Sequence, residues 1–148
     1  MSTKRPLEKP QFRLAVPGDI PFILELLREF YRRAGAVYAG IPFDGPSTIL
    51  TVAGVLAGGL CLVGPSSCAG ANFVPFPYNH TALVAHVQFW YFKNAREIAI
   101  FEALCDACKG AGATHVWASS HSPRHTVARW YAKKGLSECE SEHIRELN

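Results

Sequence analysis

Leu83-Val84-Ala85-His86-Val87-Gln88-Phe89-Trp90-Tyr91-Phe92, followed at once by Lys93-Asn94-Ala95-Arg96-Glu97-Ile98-Ala99-Ile100, decides how this chain is read. The first ten residues hold no glycine or proline and are rich in β-branched and aromatic side chains, which predicts a strand. Strict alternation puts Leu83, Ala85, Val87, Phe89 and Tyr91 on one face and Val84, Trp90 and Phe92, with His86 and Gln88, on the other. Both faces are largely apolar, so this is a central strand covered on both sides. Asn94 reads as a helix cap, and a helix is predicted from Ala95 to about Lys109. Its apolar stripe is Ile98, Phe101, Cys105 and Cys108, and Gly110 and Gly112 end it.

Upstream of that strand, Leu60 to Val63 and Cys68 to Val74 predict a hairpin closed by Gly64-Pro65-Ser66-Ser67. Phe73 to His80 carries two prolines and reads as an aromatic loop. Ser47 or Thr48 starts a short apolar helix that runs to Ala57 and stops at Gly58-Gly59. Gly35 to Pro46 before it is a loop anchored by Tyr38 and Phe43. A long amphipathic helix is predicted earlier, capped by Asp19, with Pro21 in its first turn and a stripe of Ile20, Ile23, Leu24, Leu27 and Tyr31. Its charged face, Glu25, Arg28, Glu29, Arg32 and Arg33, is a solvated surface on this reading. Gln11 to Val16 alternates as a strand that stops at Pro17-Gly18, and residues 1–10 form a polar leader to a single domain of residues 11–148.

Downstream, Thr114 to Ser119 predicts a short strand. Ser122-Pro123 opens a last helix through Val127, Trp130 and Tyr131 to Gly135, and the final twelve residues carry a weak strand signal. The order is β-α-α-β-β-β-α-β-α-β. Its 148 residues suit one domain, and 49% apolar with 18% charged residues exclude a disordered or fibrous chain. No apolar run approaches the ~20 residues of a membrane span. Thr48 to Gly64, the nearest candidate, is broken by Gly54, Gly58 and Gly59. Five cysteines, an odd number, point to reduced thiols and hence to a cytoplasmic chain, and a net charge of +3 is too small to predict a nucleic-acid partner.

That order of elements is similar to the GNAT N-acetyltransferase superfamily, an α/β (α+β) fold whose mixed, mostly antiparallel central sheet is flanked by about four helices. Three stretches carry the resemblance: Phe12-Arg13-Leu14-Ala15-Val16-Pro17-Gly18-Asp19-Ile20-Pro21, Val84 to Phe92 with its outgoing helix, and Tyr131-Ala132-Lys133-Lys134-Gly135-Leu136. The resemblance implies an acyltransferase that moves acetyl from acetyl-CoA to a primary amine. The cofactor would lie along the fourth strand as an added strand does, with its diphosphate at the start of the third helix. Carried over residue by residue, Tyr131 matches the tyrosine that protonates the departing thiolate. Val87, Phe89, Trp90, Tyr91 and Phe92 match the cofactor-facing strand, and Lys93, Asn94, Ala95, Arg96 and Ala99 occupy the diphosphate loop. Within that loop Arg96 and Ala99 fit the family pattern, while Glu97 follows Arg96 directly and the segment is short. The alternative is a module of the same shape, phage-encoded or of other origin, that has lost its chemistry and serves interaction or structure.

His86, beside Gln88 on the strand, is a candidate general base, because histidine is the side chain that titrates near neutral pH. Against this stands a buried histidine satisfied by a carbonyl, and against Tyr131 as acid stands a core aromatic. Cys105-Asp106-Ala107-Cys108 has the spacing of a metal or redox pair but lies on a helix stripe with no second pair, so no metal site is predicted. His121 and His125 are separated by Pro123, and His115 and His143 have no assigned role. Trp90, Trp117 and Trp130 read as core or cleft walls. The acceptor is a small-molecule or peptide amine, met by the Gly35 to Pro46 and Phe73 to His80 loops through aromatic contacts rather than heavily charged ones. The oligomeric state is open, a homodimer among the options, and no membrane partner is expected.

Overall fold

Leu60–Gly64 (β2) and Ser67–Phe76 (β3) pair antiparallel from Leu60 opposite Ala71 to Gly64 opposite Ser67, which closes the predicted hairpin around Pro65 and Ser66. The computed structural model describes residues 10–34, 38–120, 126–139 and 145–147. Before the hairpin come β1 (Arg13–Leu14), α1 (Ile20–Ala34) and α2 (Gly45–Gly58). After it come β4 (Asn79–Phe92), α3 (Ile100–Gly110), β5 (His115–Trp117) and α4 (Thr126–Lys133). The five strands lie in chain order, antiparallel except for β4 and β5, which run parallel. This is the mixed, mostly antiparallel sheet with four helices that the sequence predicts. The leader at residues 1–9, Ser122-Pro123 and part of the C-terminal strand signal lie outside the described residues.

The sheet is covered on both sides, as two apolar faces on β4 require. Ile23, Leu26 and Leu27 of α1 and Val52 and Val55 of α2 pack on Cys61, Val63 and Cys68. Ile100, Phe101, Leu104 and Cys108 of α3 and Tyr131 of α4 pack on Leu62, Ala69, Ala71, Ala85 and Val87. Each fully buried Ile, Leu or Phe contributes about 1.5–3 kcal/mol. The stripe of α1 shifts slightly from the predicted one: Leu26 is buried where Leu24, only half-buried, was expected, and a 3-10 turn at Pro17–Asp19 precedes the helix. Asp19 consequently caps that turn, accepting from the Val16 amide at 2.8 Å, and not α1 itself.

Three further expectations change. The cap of α2 is Asp44, whose carboxylate accepts from the Ser47 amide at 2.9 Å, so the helix starts at Gly45 with Pro46 in its first turn. The expected aromatic loop at Phe73 to His80 is mostly strand, since β3 continues through Pro75 to Phe76 and β4 starts at Asn79. Proline is tolerated there because β3 overhangs β2 beyond Ala71, which leaves one ladder to disturb, and the register with β4 slips between Pro75 and Phe76. The segment after Asn94 begins as a 3-10 turn, Ala95–Ala99, and becomes α-helical only at Ile100.

The alternation along β4 also breaks. Gly70 pairs with Phe89 and Ala71 with Val87, so Gln88 is an extra residue in β4, a bulge whose side chain is exposed. One extra residue reverses every face beyond it. Ala85 and Val87 share a side with Trp90, toward α3 and α4, while Phe89 and Tyr91 face α1 and α2. Gly70 is needed at this point, because a Cβ there would sit 2.6 Å from the ring of Phe89.

Candidate active site in the fork between two strands

Strands β4 and β5 are paired over only three residues: Val84 with His115, Ala85 with Val116 and His86 with Trp117. Beyond His86, β4 runs on to Phe92 while the chain after Trp117 leaves the sheet, so the two segments part. From Val87 to Phe92 the edge of β4 turned away from β3 has no strand partner among the described residues. Such an edge can hydrogen-bond an extended ligand as a further strand. The parallel pairing needs only a short β5, and the bulge at Gln88 bends β4 where the parting begins.

Both candidate catalytic residues, His86 and Tyr131, stand at this fork. His86 is the last paired residue of β4, half-buried, with its ring 5.9 Å from that of Trp117. Because Val116 and Ala118 pack toward α3 and α4, alternation turns His86 and Trp117 toward the α1 and α2 side. Tyr131 lies across the fork on the other side. Its hydroxyl accepts from Trp90 Nε1 of β4 at 2.8 Å and donates to the carbonyl of Ser119 at 3.2 Å, so one phenol bridges the two diverging segments. Burial pushes its pKa up to about 12, against the smaller opposing effect of the Trp90 hydrogen bond. Trp90 is held in turn by Phe101 at 5.1 Å, Trp130 at 5.3 Å and Phe92 at 5.8 Å. Tyr131 is therefore a buried aromatic whose hydroxyl is held in the fork by two hydrogen bonds.

The loop after β4 is built differently from the glycine-rich pattern. Asn94 Oδ1 accepts from the Arg96 amide at 3.0 Å, and the Glu97 amide donates to the Asn94 carbonyl at 2.8 Å. Two amides available to an anion in a glycine-rich loop are thus engaged internally. Lys93 pairs with Glu29 of α1 at 2.8 Å, and the Arg96 side chain is exposed. Of the predicted loop residues, Ala95 and Ala99 begin and end the 3-10 turn.

Glu97, which the resemblance places where it would repel a diphosphate, turns inward. It is buried and accepts from the Ser66 amide at 2.9 Å, from the Ser66 hydroxyl, and from the Ser67 hydroxyl at 2.6 Å. Burial alone would raise its pKa, but the hydrogen bonds from Ser66 and Ser67 outweigh it and hold the carboxyl below its ordinary range. Sequence reading missed this anchor. Its only local sign is a hydrophobic neighbourhood, Ile98 to Phe101, that leaves little solvent for a glutamate.

The CxxC pair does not join the fork. Cys108 is buried and Cys105 half-buried, and burial pushes the Cys105 thiol up to about 12, the behaviour of packing residues. Among the described residues no group of three His, Cys, Asp or Glu side chains is placed to hold a metal. His121, His125 and His143 lie outside the described residues. No described helix is long and apolar enough to cross a membrane.

The sequence matches no protein-family model and no curated protein. Solved structures match over nearly the whole chain. A predicted acetyltransferase of Clostridium acetobutylicum, solved with acetyl-CoA, aligns with a TM-score of 0.69 at 16% identity and covers 94% of this chain and 96% of its own. Glucosamine-6-phosphate N-acetyltransferase of Arabidopsis thaliana aligns with 0.64 at 14% identity, covering 95% and 100%. Ribosomal-protein-alanine N-acetyltransferase of Brucella melitensis aligns with 0.64 at 12% identity, covering 94% and 99%. Sheet order, helix placement and the forked strands make this an α/β domain of the acyltransferase shape. The chain has the GNAT N-acetyltransferase fold.

Proposed function

We propose that the protein is an acyltransferase that moves the acetyl group of acetyl-CoA to a primary amine. The observation that carries this reading is the parting of β4 from β5 after His86 and Trp117, with the Tyr131 hydroxyl set across the gap. The open edge of β4 from Val87 to Phe92 fits the extended pantetheine arm, with Phe89, Trp90 and Tyr91 flanking it. Because the Arg96 and Glu97 amides are engaged, Lys93 and Arg96 would meet the diphosphate through their side chains, together with the Asn94, Ala95 and Ala99 backbone where it is free. When bound, the thioester supplies a carbonyl carbon open to attack by an amine, with a thiolate as leaving group.

His86 takes the proton that the attacking amine loses, directly or through one water. Tyr131 gives its proton to the departing sulfur, which requires its hydroxyl to let go of the Ser119 carbonyl while Trp90 Nε1 keeps hold of the oxygen. That donor stabilises the phenolate left behind, and the proton returns from solvent after release. The neighbouring structures act on different amines, a sugar phosphate in one case and a protein alanine in another by their names, so the fold does not select an acceptor.

A thermal-shift titration tests the proposal. Acetyl-CoA or CoA at a hundred times its dissociation constant stabilises by about 2.7 kcal/mol, or about 5–10 °C in Tm for a chain of this size. If millimolar amounts of both leave Tm unmoved, the transferase reading fails and the degenerate module remains.

A further inference from the structure

On the α1 and α2 side of the sheet, a cavity of about 280 Å³ is lined by Arg28, Tyr31, Arg32 and Phe43. Its walls are fixed in place. The Tyr31 hydroxyl donates to the Ile41 carbonyl, and the Tyr31 ring stacks on Tyr38 at 5.2 Å and tilts against Phe43 at 5.6 Å. The Arg28 guanidinium lies over the Phe43 ring, 5.0 Å from its centre. Rings held this way present a flat apolar slot without further ordering on binding.

The charges around the slot are unbalanced. Arg28 is paired with Glu25, its Nε 3.4 Å from the carboxylate. Glu29, the other acid of this stretch of α1, is taken by Lys93 and Arg33. Arg32 is exposed and belongs to none of the ion pairs among the described residues. Two guanidiniums one helical turn apart, each with planar donors, match a carboxylate or phosphate, which accepts two parallel hydrogen bonds from such a fork. The sequence predicts solvated surface at these arginines; in the fold Phe43 lies against Arg28 and lines one cavity with both.

We propose that this cavity binds an oxyanion, a carboxylate or phosphate on a molecule whose flat body lies against Tyr31 and Phe43. Titration of the full chain without acetyl-CoA, followed by NMR or calorimetry in low salt, tests it with benzoate, phenyl phosphate and benzylamine as probes. Benzoate or phenyl phosphate binds at least tenfold more tightly than benzylamine, and the preference between the two identifies the anion. Arg32→Gln, an exposed change that leaves Tm in place, weakens the anionic probe at least tenfold. Arg28→Lys, which keeps the charge and loses the fork, weakens it less. Equal binding of benzylamine, no binding of either anion, or undiminished affinity in Arg32→Gln overturns the proposal.

Discussion

Among the described residues, Asp19 is the carboxylate held furthest below its ordinary range. Arg13 donates to both of its carboxylate oxygens at 2.8 Å, and with the Val16 amide this holds its pKa at about 2 against an ordinary 3.8. A depressed carboxylate stabilises the fold at and above its unfolded pKa and loses that contribution as pH falls toward the folded value. Tm should therefore decline between pH 4 and 2 in the wild type. Asp19→Asn, lower in Tm at pH 7, should flatten that slope, and an unchanged slope would show that other groups set it. Tyr131 and Trp90 form a second pair at this scale. Tyr131→Phe should lower kcat of the proposed transfer tenfold or more while leaving acetyl-CoA affinity within a factor of two. Trp90→Phe keeps a ring in the aromatic cluster but deletes the donor to the phenol, so kcat should fall. Equal turnover in Tyr131→Phe removes the phenol from the chemistry and leaves it the packing role it already has. Glu97 is a third case. Glu97→Ala strands the amide and hydroxyl donors of Ser66 and Ser67, and urea unfolding should register a loss of about 1–3 kcal/mol.

The elements that differ from expectation are those shaped by a neighbour. The strand β4 is legible as the central strand, yet its bulge is not, because Gln88 looks outward like any polar residue in an alternating run. Only pairing with β3 reveals that Val87 and Phe89 meet adjacent residues, and with that the assignment of Trp90 to the fork. The 3-10 turn at Ala95–Ala99 also carries a long-range contact, since Glu97 in its middle is bonded to the β2–β3 turn. This contact is closely fitted. A Cβ on Gly64 would lie 2.5 Å from Glu97 Oε1 and 2.9 Å from Phe12 Cδ1. Gly64→Ala should therefore destabilise by about 1–3 kcal/mol in denaturant titration despite conserving a small residue, and a neutral result would mean that the turn and Glu97 move apart freely.

Across the whole molecule, two helical layers clamp one sheet, and the layer of α3 and α4 is tied to the fork through Phe101. That ring is 1% exposed and touches Trp90, Trp130 and Tyr131. Phe101→Ala should cost about 3–5 kcal/mol and loosen Tyr131 along with the core, so its Tm drop should be accompanied by a change in tryptophan emission. Element order, the two-faced character of β4, the hairpin at Gly64 to Ser67 and the amphipathic helices follow from the chain alone, since periodicity, proline and glycine placement and capping residues act over a few positions. The faces beyond Gln88, the inward turn of Glu97, the bridge made by Tyr131 and the closing of Phe43 over Arg28 join residues far apart in the chain. They were decided by tertiary packing, because only burial determines which polar groups must find each other when water is no longer their partner.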